Sequence, residues 1–438
     1  MTEQQNTACP AQPEDTRPEL PGTAQSALTG DTRSALPCVV QSPYVAQSAL
    51  PGDTRSALPS FVAEIIARLE AQGHEAYAVG GCVRDLLLGR QTSDYDIATS
   101  ALWPQVEAIF EKTLPTGSRF GSGTVLLAGG SAQVTTYRTE QGYSDRRRPE
   151  RVEPTHSLRQ DLLRRDFTIN TLCWHPAQGV LDLLDGCADL RRGLIRCVGN
   201  PRQRFGEDAL RILRAFRFSC QLGFAIEPQT LAAALSLADT LSFVSAERVT
   251  QELDKILLSP QPSLAAPLLA ALRGQPLPGD IALLDRCPPS LAARYAALLR
   301  LAGGQPGILA HRLRLPARLL GDITALARLL EQPPASDPPA IKEQLRRVGP
   351  PLFFLCLDTY AALTGGDTTR TKAAAEGILQ RGEPYAIAHL AVGGSDLTAL
   401  GLAGPAVGAA LERLLALVIA DPRQNRRETL LEMAQELK

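Results

Sequence analysis

The sequence is poor in lysine, in aromatic residues and in any arrangement of cysteines that could be paired. Five Lys contribute to a total of 45 Lys and Arg, so the basic side of the chain is almost wholly arginine. Arginine presents a planar fork that grips phosphate bidentately. Genome composition can produce the same skew, so the location of the arginines matters more than their number. Aromatic residues make up 5% of the chain, with two Trp. The nine cysteines are an odd number and form no CxxC pair, which predicts reduced thiols and excludes a disulfide framework. The nearest metal-like cluster, Cys173-Trp174-His175, reads as a buried structural thiol beside an incidental imidazole. Arg, Gly or Pro interrupts every apolar run before the ~18 residues that would span a bilayer, and the N-terminus lacks a basic start and an apolar stretch after it. These absences predict a soluble, cytoplasmic protein with no membrane partner. No GxxxxGK[ST] occurs, which excludes a P-loop kinase.

What is present is unevenly distributed. The net charge of −1 conceals residues 191–217, where eight Arg stand against only Glu207 and Asp208. That local excess predicts an anionic ligand. A chain of 438 residues with 44% apolar content is long enough for two or more domains. The first 59 residues carry a direct repeat, AQSALTGDTRSALP at 24–37 returning as AQSALPGDTRSALP at 46–59, and have too few large apolar side chains to offset the entropy of ordering. They are predicted to be a disordered tail. From Ser60, FVAEIIARLEAQG has helical spacing and ends at Gly73, AYAVG reads as a strand, and VRDLLLG reads as a helix stopped by Gly89. DYDIATS alternates like a strand, Pro104 can open a helix, and GTVLLAGG with AQVTTYR reads as a hairpin. Beyond Asn200 the strand signals fade and Ala, Leu and Arg recur every three or four residues. Breaks near 273–289, 303–307, 333–339 and 364–367 divide this helical half.

Three stretches carry chemistry. In AVGGCVRDLLLGRQTSDYDIATS, residues 78–100, Gly80 and Gly81 end a strand and open a helix, aiming backbone N–H groups at an anion. Arg84 lies about one turn into that helix, and Asp85 is better placed to orient neighbours than to meet an anion. Asp94 and Asp96 are alternate residues of a strand and project to one face, where two carboxylates can share a pair of Mg²⁺ ions. Such ions activate an attacking hydroxyl and neutralise leaving pyrophosphate. SDYD alone could be only an acidic turn; a glycine turn twelve residues before it makes the metal reading the better one. The second stretch is RRDFTINTL at 164–172. The third, GEDALRILRAFRF at 206–218, repeats Asp208, Arg211, Arg214 and Arg217 every three residues beside an apolar stripe of Leu210, Leu213 and Phe216.

If Asp208 and Arg211 meet the Watson–Crick edge of a base, the carboxylate accepts from an exocyclic amine and the guanidinium donates to a ring nitrogen. Cytosine and adenine satisfy both contacts, whereas uracil and guanine mismatch both. Buried groups left unpaired in that way can disfavour a wrong substrate on the order of 10⁴-fold.

In this order and spacing, the three stretches resemble the class II tRNA nucleotidyltransferases, the CCA-adding enzymes, and their relatives the bacterial poly(A) polymerases, from about residue 60 onward. TTYRTEQGYSDRRRP at 135–149 resembles the family's flexible loop, ERVTQELDKIL at 247–257 its pocket-supporting helix, and GGSDLTALGLAGPAVGAALERLL its tail. The resemblance implies an α+β fold: an N-terminal nucleotidyltransferase α/β head with a small mixed β-sheet, followed by an all-helical neck, body and tail. The boundaries expected are 1–59 for the repeat tail, 60–199 for the head, 200–260 for the neck, 261–385 for the body and 386–438 for a tRNA-binding tail. It also implies that Asp94 and Asp96 ligate Mg²⁺, that Gly80, Gly81 and Arg84 hold the triphosphate, and that Arg165 contacts the nucleotide. Asp208 and Arg211 would read the base, with Arg214 and Arg217 extending the nucleotide-binding stripe. The implied substrates are the tRNA 3′ end, CTP and ATP, with no protein partner. An A-adding or CC-adding specialist, a poly(A) polymerase and a catalytically weakened RNA-binding protein are the alternatives. One departure stands out: relatives often carry a carboxylate where this chain has Gln133, and a neutral amide cannot supply that charge. The His-Asp dipeptide of a fused phosphohydrolase domain does not occur.

Overall fold

The computed structural model describes residues 58–117, 121–142 and 151–436. The repeat at 24–37, residues 46–57 of the repeat at 46–59 and residues 143–149 of the flexible-loop motif lie outside the described residues.

The first helix, Ser60–Ala71, buries Phe61, Val62, Ile65, Ile66 and Leu69, the face that its apolar spacing predicts. Gly73 follows with a φ of +81°, a conformation that lets the chain reverse into the sheet. The strands in chain order are β1 (Ala76–Val79), β2 (Asp96–Thr99), β3 (Thr113–Gly117), β4 (Ser122–Leu127), β5 (Gly130–Thr136), β6 (Arg138–Gln141), β7 (Arg151–Pro154), β8 (Cys173–His175) and β9 (Gly179–Leu181). Seven of them form one mixed sheet in the order β3-β4-β5-β2-β1-β8-β9, while β6 and β7 pair separately as an antiparallel hairpin. β1 is antiparallel to β2, β2 is parallel to β5 with Asp96 opposite Gln133, and β4 and β5 form the expected hairpin. β3, β8 and β9 were not legible. β8 and β9 have three residues each, too few for alternation to show, and β3 is an edge strand that includes Pro115.

Beyond residue 200 the chain is helical apart from the two-residue strand Ala225–Ile226, which pairs in parallel with Leu194–Ile195. Several of these helices open on proline and several close on a glycine of positive φ, as at Pro228, Pro350, Gly223 and Gly303. One apolar core runs without a break from Phe61 in the first helix through the sheet to Leu213 and Phe216, and on to Leu268. Separate clusters gather around Tyr295 and Leu326, around Ile341 and Phe353, and around Leu414 and Leu430. The Leu210–Leu222 helix is therefore packed into the core beneath the sheet and does not form a detached lever. Among the described residues no helix is long and apolar enough to cross a membrane, and the described cysteines are free.

Candidate active site

The site lies where β1, β2, the segment 164–170 and the Leu210–Leu222 helix meet, around a cavity of about 580 Å³. At its floor is the glycine turn. Gly80 has a φ of +84° and its N–H donates to the Leu172 carbonyl at 3.0 Å. A side chain there would be strained by the backbone conformation, while its Cβ would only touch the Arg165 guanidinium and the Asn170 carbonyl at 3.5 and 3.6 Å. Gly81 opens the helix Gly81–Leu87. Arg84, buried on that helix, is held from three sides. Its Nε and Nη2 donate to the two Asp85 oxygens at 2.9 and 3.0 Å, and its Nη1 donates to Asn170 Oδ1 at 2.7 Å. The guanidinium lies 5.1 Å from the centre of the Phe218 ring. Asp85 thus orients Arg84, as its position suggested.

Asp96 is the first residue of β2 and Asp94 sits two residues earlier. Tyr95 turns the other way, edge-on to Phe61 at 5.3 Å, and its hydroxyl donates to the Thr92 carbonyl at 2.9 Å. Both carboxylates line the cavity beside the glycine turn. Asp94 is exposed and Asp96 half-buried. Burial, and then the charge of Asp94, push the Asp96 carboxyl above its usual range, with Arg165 opposing. A carboxylate raised in this way is one that a divalent cation would relieve. Gln133 is the register partner of Asp96 on β5 and is exposed.

The segment 164–170 supplies a lattice of charge. Asp161, 1% exposed, accepts from Arg164 at 2.7 Å and Arg165 at 3.2 Å. Asp166 accepts from Arg214 at 2.7 Å, from the Asn170 amide at 3.1 Å and from the Phe167 N–H at 2.9 Å. The Arg214 guanidinium and these donors overcome the burial penalty and hold the Asp166 carboxyl down to about 2.

The base-reading stripe differs from its expected form. Asp208 is not on the long helix: the backbone breaks there, with Asp208 extended at φ −140° between the helices Pro201–Glu207 and Leu210–Leu222. Its Oδ1 accepts from the Leu210 N–H at 3.0 Å, so the side chain that a helical stripe would project outward instead caps the second helix. Its other oxygen accepts from Arg248 at 2.9 Å. Arg211 donates to Glu207 at 2.7 Å and to the carbonyls of Arg204 and Arg164 at 3.2 and 3.1 Å. Arg217 pairs with Glu252 at 2.7 Å and lies 4.2 Å from the Phe218 ring centre. The structure therefore brings all ten sequence-predicted residues to one cavity, with Asp208 off the helix. The sequence reading missed Asp166, Asn170, Phe218, Arg248 and Lys255, which line the same cavity. Arg248, Glu252 and Lys255 recur at i, i+4 and i+7 of the Ala246–Leu257 helix, a spacing that could have flagged one face.

A pair of adjacent carboxylates below a glycine turn, ringed by guanidinium groups, defines a head of the nucleotidyl-transferring class. Comparison with known proteins agrees and sharpens this. Residues 76–196 match the family described as the poly A polymerase head domain, and residues 223–273 the one described as a probable RNA and SrmB-binding site of polymerase A. The chain is 37% identical over 391 residues to the CCA-adding enzyme of Lacticaseibacillus paracasei, covering 85% of this chain and 95% of that one. It is 38% identical over 387 residues to that of Geobacillus stearothermophilus, covering 83% and 93%. A solved Bacillus stearothermophilus CCA-adding enzyme in complex with CTP superposes with a TM-score of 0.73 at 33% identity, covering 86% of this chain and 98% of that one. The chain belongs to the CCA-adding enzyme family of tRNA nucleotidyltransferases.

Proposed function

We propose that the protein adds CMP and AMP, taken from CTP and ATP, to the 3′ end of tRNA without a template and with release of pyrophosphate. The observation that carries this reading is the meeting of Asp94, Asp96, the Gly80–Gly81 turn and the arginine-lined walls in one cavity, in a chain similar over 85% of its length to a CCA-adding enzyme.

Asp94 and Asp96 fit Mg²⁺ by donor chemistry. Both offer hard carboxylate oxygens, and the raised carboxyl of Asp96 stands to gain from a neighbouring cation. Among the described residues no third His, Cys, Asp or Glu completes a cluster, which suits an ion that takes its other ligands from water and substrate phosphates. Bound there, Mg²⁺ would lower the pKa of the attacking 3′-hydroxyl and neutralise charge on the pyrophosphate. The chain itself positions the reactants. The N–H groups of the glycine turn and the Arg84 guanidinium, fixed by Asp85 and Asn170, hold the triphosphate. Arg165 stands against the same turn. Asp208 accepts from the exocyclic amine of C or A while Arg211 donates to the ring nitrogen, and the hydrogen bond from Arg248 orients Asp208. Arg214 and Arg217, locked by Asp166 and Glu252, continue the nucleotide-binding wall.

The same reading divides the chain into head, neck, body and tail at about 200, 260 and 385 and gives the tail a role in meeting tRNA; the separate apolar cluster around Leu414 and Leu430 supports the last of these boundaries. It also makes the protein cytoplasmic, in keeping with the free thiols among the described residues. The test is to incubate the protein with tRNA ending before CCA, Mg²⁺ and each labelled triphosphate, then sequence the 3′ ends. Addition that stops after CCA is expected. A long A tract, a product ending at CC, addition of A alone, or tRNA affinity without Mg²⁺-dependent incorporation refutes the reading.

A further inference from the structure

The seven arginines that line the cavity each form an ion pair with a carboxylate of the chain, from Arg84 with Asp85 to Arg248 with Asp208. Lys255 lines the same cavity, is exposed, and among the described residues makes no ion pair. It is one of only five lysines in the chain. Its position along the helix Ala246–Leu257 tells which part of a ligand it faces. Arg248 pairs with Asp208 at the base-reading turn, and Glu252, one turn on, pairs with Arg217. The Arg217 and Arg84 guanidinium groups both lie against the Phe218 ring, 4.2 and 5.1 Å from its centre, so Arg217 stands on the side of the cavity where Arg84 and the glycine turn lie. Lys255 is seven residues beyond Arg248, about 10 Å along the axis. The helix therefore runs from the base end of the cavity toward its phosphate end, and the unneutralised ammonium stands at the latter.

We propose that Lys255 binds the polyphosphate of the incoming nucleoside triphosphate. This rests on the reading of the cavity as the nucleotide site and adds a contact that no motif assigned. Binding a polyphosphate through the paired arginines means sharing or exchanging carboxylate partners already in place. An ammonium with no internal partner loses none, and a compact flexible point charge can follow the phosphates as they leave as pyrophosphate.

The test compares Lys255→Met, which keeps the apolar stem, with Lys255→Arg. For Lys255→Met the KM for CTP and the KM for ATP should rise by the same factor, about tenfold for one charge-assisted contact. The Ki of inorganic tripolyphosphate should weaken equally, and K255R should recover most of the loss. The preference for CTP over UTP and the Kd for tRNA should stay unchanged. An unaltered KM and Ki would overturn the proposal, and so would a weakened tRNA Kd at unaltered KM, which would assign the ammonium to the RNA backbone. If the wild-type protein failed to extend tRNA, the functional reading would fall. Calorimetric binding of tripolyphosphate to wild type and K255M would still decide the role of Lys255.

Discussion

Replacing Asp166 with Asn keeps the shape of the side chain and one oxygen for the Phe167 N–H while removing the charge that Arg214 meets. The lowering of its carboxyl from 3.8 to about 2 corresponds, at about 1.36 kcal/mol per pH unit, to roughly 2 kcal/mol of native-state stability at neutral pH. A carboxyl whose pKa is depressed on folding contributes its full stabilisation above the unfolded value and loses it as pH falls through the folded one. The penalty of Asp166→Asn should thus be constant from pH 7 to about pH 5 and shrink between about 4 and 2. Both tryptophans, Trp103 and Trp174, are buried in the sheet domain, so their fluorescence in a urea titration reports unfolding of the core that contains Asp166, even if the C-terminal clusters unfold separately. A penalty below about 0.5 kcal/mol at pH 7 would refute the charge argument, and one already shrinking between pH 7 and 5 would show that another group is responsible. Asp166→Ala should cost more, about 3–5 kcal/mol, because it also strips Asn170 and the Phe167 N–H of their acceptor and leaves Arg214 unpaired.

Asp94→Ala should lower nucleotide incorporation by about 10³-fold or more while tRNA affinity in a filter-binding assay changes little; a parallel loss of both would argue against a metal role. Gln133→Glu sets a third carboxylate opposite Asp96, so the Mg²⁺ concentration for half-maximal activity should fall. The added charge also raises the Asp96 carboxyl further, so metal binding should weaken at a higher pH than in the wild type as acid is added; an unchanged Mg²⁺ requirement would show that residue 133 stands outside the metal's reach. Gly123→Ala would put a Cβ between 2.1 and 2.7 Å from three carbons of the Trp103 indole, so thermal unfolding followed by tryptophan fluorescence should move to lower temperature by an amount equivalent to about 3 kcal/mol; an unchanged midpoint would mean that the helix Trp103–Ile109 can move away freely.

How much of this was legible depended on whether the determining contact was local. The glycine turn, the paired aspartates, the first helix and the β4–β5 hairpin each depend on neighbours within a few residues, and pattern and turn chemistry revealed them. The partners did not come through, because periodicity shows that a helix has a polar face and not what meets it. Arg84 with Asn170, Asp166 with Arg214 and Asp208 with Arg248 join positions 86, 48 and 40 residues apart. The break at Asp208 was hidden for a related reason. A three-residue repeat of charge continues through an N-cap as smoothly as through a helix, and the extended backbone at Asp208 with its hydrogen bond from the Leu210 N–H distinguishes the two. The same limit changes the meaning of the arginine-rich stretch 191–217. Of its eight arginines, Arg196, Arg204, Arg211, Arg214 and Arg217 are neutralised by carboxylates of the chain. The stretch is therefore less a field of free positive charge than a set of guanidinium groups held in place by their counter-ions. On the proposed reading it positions planar donors around a nucleotide, while the cavity charges that make no ion pair among the described residues, Asp94, Asp96 and Lys255, all lie outside it.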